Sequence, residues 1–104
     1  MGLQVTVSVL FTDVVDSTAR SERVGPEAAE AERRAHFEVL RAAIGKHDGR
    51  EVKNLGDGLM VVFPSIGAAV AGAVAVQQAV DRAGRAEVDP VRIRTSLATG
   101  DAEE

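Results

Sequence analysis

From Gln4 to Thr12 apolar and polar positions alternate, with Val5, Val7, Val9 and Phe11 on one face and Thr6 and Ser8 on the other. A period of two carried by β-branched side chains predicts a strand. The run Asp13-Val14-Val15-Asp16-Ser17-Thr18 then supplies polar groups suited to a turn and a helix N-cap. After Gly25-Pro26 the pattern becomes helical: Phe37, Leu40 and Ile44 fall at i, i+3 and i+7, and Val39 and Ala43 widen the stripe. Pro26 suits the first helical position, and Glu27, Glu30 and Glu32 complement the positive end. Arg33, Arg34, Arg41 and Lys46 crowd the later turns before Asp48-Gly49, so the pattern predicts a helix from Pro26 to about His47.

Two short β-type runs follow, Arg50 to Asn54 and Leu59 to Phe63, linked by Leu55-Gly56-Asp57-Gly58. A four-residue link with two glycines predicts a hairpin. Pro64-Ser65 opens a second helix, Ile66 to about Arg82, closed by Gly84 and rich enough in Ala, Gly and Val to pack closely on a sheet. Finally Val91, Ile93, Thr95 and Leu97 alternate with Arg92, Arg94 and Ser96, a fourth strand reached through a loop from Gly84 to Pro90. The order β-α-β-β-α-β predicts an α+β, ferredoxin-like fold, with two helices on one face of a four-stranded antiparallel sheet. Residues 1–104 read as one domain. Gln77 and Gln78 read as the solvent edge of the second helix, and His36 and His47 as solvated helix residues without a role.

Composition narrows the function classes. With 45% hydrophobic residues a single modest core is feasible. The net charge of −4 disfavours a nucleic-acid-binding module, which would carry a clustered basic face. The chain contains no cysteine, so disulfides and thiolate metal sites are excluded. Met1-Gly2-Leu3-Gln4 lacks the start of a signal peptide. The uncharged stretch Pro64 to Val80 is too short and too rich in Ala and Gly to span a bilayer. A cytoplasmic, soluble domain is expected.

Two acids stand out in this frame. Asp13 sits where the first strand stops, and Asp57 sits in the hairpin between two glycines that let backbone approach a ligand closely. In the ferredoxin-like order the first strand lies beside the third, so these two residues should converge although they are 44 positions apart (57 − 13). Converging carboxylates repel unless a cation lies between them or one is protonated. Oxygen ligands of this kind suit Mg²⁺ or Mn²⁺, with substrate phosphates completing the shell. Next door, Asp16-Ser17-Thr18-Ala19 is placed to open a short helix whose free amides face the same rim, an arrangement that binds phosphate. Taken singly, Asp13 is a strand-end cap and Gly56-Asp57-Gly58 a tight turn. Together they point to a two-metal phosphoryl-transfer site.

The stretch Val9-Leu10-Phe11-Thr12-Asp13-Val14-Val15-Asp16-Ser17-Thr18 resembles the opening of class III adenylyl and guanylyl cyclase catalytic domains. So does Glu51 to Phe63, with its Lys-x-x-Gly-Asp-Gly core, and the run Val91 to Asp101 is similar to the next family strand. This resemblance implies that Asp13 and Asp57 are the two metal-binding aspartates, with the Val14 carbonyl as a further ligand to two Mg²⁺ or Mn²⁺ ions. It implies that Val15, Asp16, Ser17 and Thr18 line the triphosphate, with backbone amides mattering more than hydroxyls. It implies that Lys53 recognises the purine of ATP, a lysine there favouring adenine. The reaction implied is 3′-hydroxyl attack on the α-phosphorus, giving cyclic AMP and pyrophosphate. Such cyclases resemble one another in acting as head-to-tail dimers, so Lys53 is expected to serve the partner's site in a homodimer.

The departures are as specific. The family's later Asn-x-x-x-Arg segment has no counterpart here, since Asn54 is the only asparagine. Neither Arg92 nor Arg94 takes its role by motif, and Ser96 stands where the family often has glycine. Very weak or no cyclase activity is therefore expected of these 104 residues alone. A non-catalytic cyclase-like module, binding nucleotide or dimerising, is the competing expectation. A haloacid-dehalogenase-type phosphatase fits poorly, because Asp-Val-Val-Asp-Ser-Thr has one residue too many and no parallel βαβ series follows.

Overall fold

The computed structural model describes the backbone of residues 4–103 and the side chains of residues 6–101. Met1-Gly2-Leu3, read above for a targeting signal, and the facing of Val5 lie outside what is described. The chain runs β1 (Gln4–Val14), α1 (Ser17–Val24), α2 (Pro26–Gly45), β2 (Arg50–Asn54), β3 (Leu59–Phe63), α3 (Ile66–Gly84) and β4 (Ile93–Glu103). The strands form one antiparallel sheet in the order β2-β3-β1-β4, as the ferredoxin-like reading requires.

Three boundaries differ from expectation. Asp13 and Val14 continue β1 instead of opening the turn, because Asp13 pairs with Arg94 and Val14 with Ile93 across the β1–β4 ladder. The turn residues after them form a complete helix, α1, which packs on α2, so the described residues hold three helices where two were expected. Asp16 makes the corner with a left-handed backbone (φ 54°, ψ 42°), a conformation Asp tolerates better than most residues. β4 begins at Ile93, not Val91, and extends beyond Leu97 because β1 is paired along its whole length.

Burial shows which face of β1 meets the core. Leu10 and Thr12 are buried with Ser8, whereas Val7, Val9 and Phe11 are only half-buried. The register explains this: Leu10 is opposite Val61 and Ser8 opposite Phe63, so the even positions share the face of the fully apolar β3 stripe Leu59, Val61 and Phe63. The helices cover that face. Leu10, Leu40, Leu59, Val61 and Val76 are completely enclosed there, each such burial contributing about 1.5–3 kcal/mol. The ring of Phe63 lies directly against Gly72 of α3, where any side chain would overlap it. The opposite face, with Val7, Val9, Phe11, Met60 and Val62, carries no helix among the described residues.

One helix reading also changes. His36 is buried at 8% exposure, since α2 turns it toward α1 and not to solvent. Gln77 and Gln78 are both exposed as expected, and Gln77 also donates to the Ile93 carbonyl at 3.3 Å, fastening α3 to the start of β4. No helix among the described residues is long and apolar enough to cross a membrane.

Candidate functional site

Asp13 lies on β1 with its side chain on the uncovered side, one position beyond the buried Thr12. Asp57 arrives from the β2–β3 hairpin. That hairpin is closed by Leu55 N–H donating to the Gly58 carbonyl (2.8 Å) and by Gly56 N–H donating to Asn54 Oδ1 (2.8 Å). Gly56 takes φ +95°, a value that favours glycine.

The hairpin reaches β1 because Gly58 has no side chain. A methyl group at Gly58 would overlap the Thr12 carbonyl and approach the Asp13 Cα at 3.0 Å. Beside this contact Leu59 N–H donates to Thr12 Oγ1 at 3.0 Å, a buried bond between the two strands. The predicted convergence is thus built from backbone, and Asp13 and Asp57 line one hollow of about 750 Å³.

Val14, Asp16, Ser17, Thr18, Leu55 and Arg94 line the same hollow. Helix α1 begins with Arg20 N–H donating to the Asp16 carbonyl (3.0 Å), so the amides of Ser17, Thr18 and Ala19 precede the helical ladder. The Val15 amide is committed elsewhere: it donates to the Arg92 carbonyl at 2.9 Å. Lys53 is exposed on the outer strand β2, separated from β1 by β3, and does not line the hollow.

Several participants escaped the sequence reading. Arg94 Nε donates to Asp13 Oδ1 at 2.9 Å, placing a cation on one of the two acids. Its signal lay in the register, which sets Arg94 opposite Asp13. Ser17, named above chiefly for its amide, also donates its hydroxyl to Asp57 Oδ2 at 3.1 Å. Behind the site Arg20 clamps Glu32 with two bonds of 2.7 and 2.6 Å and reaches Asp89 at 3.4 Å. The Arg20 guanidinium holds the Glu32 carboxyl below its ordinary range, against the opposing effect of burial. His36 borders the same cleft, and its buried Nε2 has no protein partner among the described residues. Burial pushes the His36 pKa down, opposed by the nearby charges of Glu32 and Asp57. Nothing in a one-dimensional pattern separates such a helix histidine from a solvated one.

The donor set fits a hard divalent cation. It offers two carboxylates and backbone oxygen, with no cluster of three or more His, Cys, Asp or Glu among the described residues. An ion bound by so few protein groups completes its shell with water and phosphate oxygens, which is how Mg²⁺ is usually held.

Comparison with known proteins finds a matching family and fold. The family described as "Adenylate and Guanylate cyclase catalytic domain" matches residues 3–100. A Myxococcus xanthus protein named serine/threonine-protein kinase pkn2 is 33% identical over 97 residues, covering 91% of this chain and 12% of its own length. The adenylate cyclase of Neurospora crassa is 39% identical over 71 residues, covering 68% of this chain and 3% of its own length. The structure of the adenylyl cyclase CyaB from P. aeruginosa superposes with a TM-score of 0.86 at 23% identity, over 99% of this chain and 60% of that one. The chain thus spans only a small part of the curated relatives.

Proposed function

This chain belongs to the adenylate and guanylate cyclase catalytic-domain family, and from that premise we propose that it supplies the metal-and-phosphate half of a site that cyclises ATP. The observation that carries the proposal is the shared hollow in which Asp13, Asp57, the start of α1 and Arg94 meet. Metal carboxylates, free helix amides and a guanidinium are three different ways of holding a triphosphate, and they converge on one rim.

In the proposed reaction the ribose 3′-oxygen forms a bond to the α-phosphorus, and the bond from that phosphorus to the bridging oxygen breaks. Pyrophosphate leaves, and the 3′-hydroxyl proton passes to solvent. Two Mg²⁺ or Mn²⁺ ions, when bound, supply charge neutralisation and an acidified hydroxyl. The chain's own part is to hold and orient. Asp13, Asp57 and the Val14 carbonyl would hold the ions, while the amides of Ser17 and Thr18 at the start of α1, beside Asp16, would receive phosphate oxygens. Val15 contributes by fixing the corner, its amide already bonded to Arg92. With an ion on Asp13, Arg94 would be released to meet a triphosphate oxygen, and Lys53 would read adenine in the site of a head-to-tail partner. Its position outside the hollow supports that division of labour.

The Arg94–Asp13 pair also favours a second reading, a non-catalytic module in which an internal arginine neutralises the acid permanently. Mn²⁺-dependent ATP binding, measured beside cyclic AMP production, separates the two. The cyclase reading requires binding that Asp13→Ala and Asp57→Ala each abolish. Unchanged binding in both variants sinks the metal assignment. Binding indifferent to Mn²⁺ favours the module.

A further inference from the structure

Asp57 is carried by a hairpin whose outer strand is exposed at every residue, which is a loose support for a metal ligand. Two helices compensate. From α1, Ser17 Oγ donates to Asp57 Oδ2 at 3.1 Å; from α2, Arg33 donates to the Gly56 carbonyl at 3.4 Å. These helices are locked to each other by the Arg20–Glu32 clamp, so Ser17 projects from an anchored element. Its place is set further by the left-handed corner at Asp16. An ionised carboxylate only accepts, so the hydroxyl must donate, and the second oxygen, Oδ1, has no side-chain partner among the described residues.

We infer that Ser17 is a positioning residue: its hydroxyl occupies one oxygen of Asp57 and presents the other to the hollow as a pre-aimed metal ligand. This gives the side chain a task distinct from that of its amide, and it rests on the cyclase reading above. Without the hydroxyl, the Asp57 carboxylate must be ordered at the moment of binding, and the cost falls on affinity for the ion.

The test is the Mn²⁺ concentration that half-saturates binding of a fluorescent, non-hydrolysable ATP analogue to the 104-residue chain. Ser17→Ala is expected to raise it about three- to tenfold, the range of a charge-assisted hydrogen bond near a surface. Ser17→Thr, which keeps a hydroxyl, stays within about twofold of the parent, since only the donor matters. Ser17→Val repeats the contrast with Ser17→Thr at constant shape, so a general packing effect of position 17 cannot mimic the result. In an Asp57→Ala background with any residual binding, Ser17→Ala has no further effect. Equal half-saturation for Ser17→Ala and the parent, or for Ser17→Thr and Ser17→Val, overturns the inference while leaving the metal site intact. A parent chain that binds no analogue at any Mn²⁺ concentration, or an Asp57→Ala variant that binds normally, overturns the cyclase reading and this inference with it.

Discussion

Replacing Gly58 by alanine sets a methyl group against the Thr12 carbonyl, with the Thr12 carbonyl carbon and the Asp13 Cα close behind. All three neighbours are backbone atoms of the central strand β1, so none can swing aside as a side-chain tip would. Relief comes only by moving the hairpin away from β1, which stretches the buried bond from Leu59 N–H to Thr12 Oγ1. Overpacking costs about 1–3 kcal/mol. Leaving a buried donor unmade adds about 1–3 kcal/mol. Together these predict a loss of about 2–6 kcal/mol, and in a domain of this size each kcal/mol lowers the unfolding midpoint by roughly 4–8 °C. The same movement withdraws Asp57 from Asp13, so Mn²⁺-dependent ATP binding should fall even well below the midpoint. Gly56→Ala is the control: its Cβ meets open space, and only the positive φ is strained, at a cost of about 1–2 kcal/mol. Thermal unfolding followed by circular dichroism, with nucleotide binding at a temperature where all variants are folded, checks both effects. A Gly58→Ala chain no less stable than Gly56→Ala, and binding as the parent does, would refute the close-approach account of how the two acids meet.

Two further predictions concern the cleft behind the site. His36 has a folded pKa below the ordinary 6.5 of an unfolded histidine, so the unfolded chain binds more protons as pH falls through that value. Stability supported by neutral His36 is therefore present above about pH 6.5 and drains away below it; His36→Phe should flatten the fall in melting midpoint between about pH 7.5 and 5.5, and an unchanged slope would count against it. Arg20→Met removes the clamp on Glu32, leaving a part-buried carboxylate without its cation. A loss of about 1–3 kcal/mol in chemical denaturation is expected. Glu32→Gln in the same background should recover part of it, and no recovery would show that the charge is not the cause.

The legible parts of this molecule were those in which local pattern and tertiary demand coincide. β2 and β3 appear at their predicted bounds, and the convergence of Asp13 and Asp57 followed from strand order alone. Other features depended on partners distant in the chain. The alternation in β1 separated Val7, Val9 and Phe11 from Ser8 without saying which face the helices take; they cover Ser8, Leu10 and Thr12, because β3 presents Leu59, Val61 and Phe63 on that side. Helix α1 has no buried residue, so it shows no apolar stripe, and it is held by ion pairs. The Ser17–Asp57 and Arg94–Asp13 bonds join residues 40 and 81 positions apart, contacts that no local periodicity encodes.

The two acids rest on supports of unequal strength. Asp13 belongs to a central strand paired on both sides, whereas Asp57 hangs from a hairpin whose outer strand has solvent along one edge and an irregular register between Glu51 and Lys53. Opening of that hairpin need not await global unfolding, since exposed peripheral elements open at a fraction of the full free energy. The site is therefore a conditional one, complete only in the fraction of molecules whose hairpin is closed. A ligand that bridges both acids binds only that fraction, and so slows amide exchange in β2 and β3 far more than in β1 and β4.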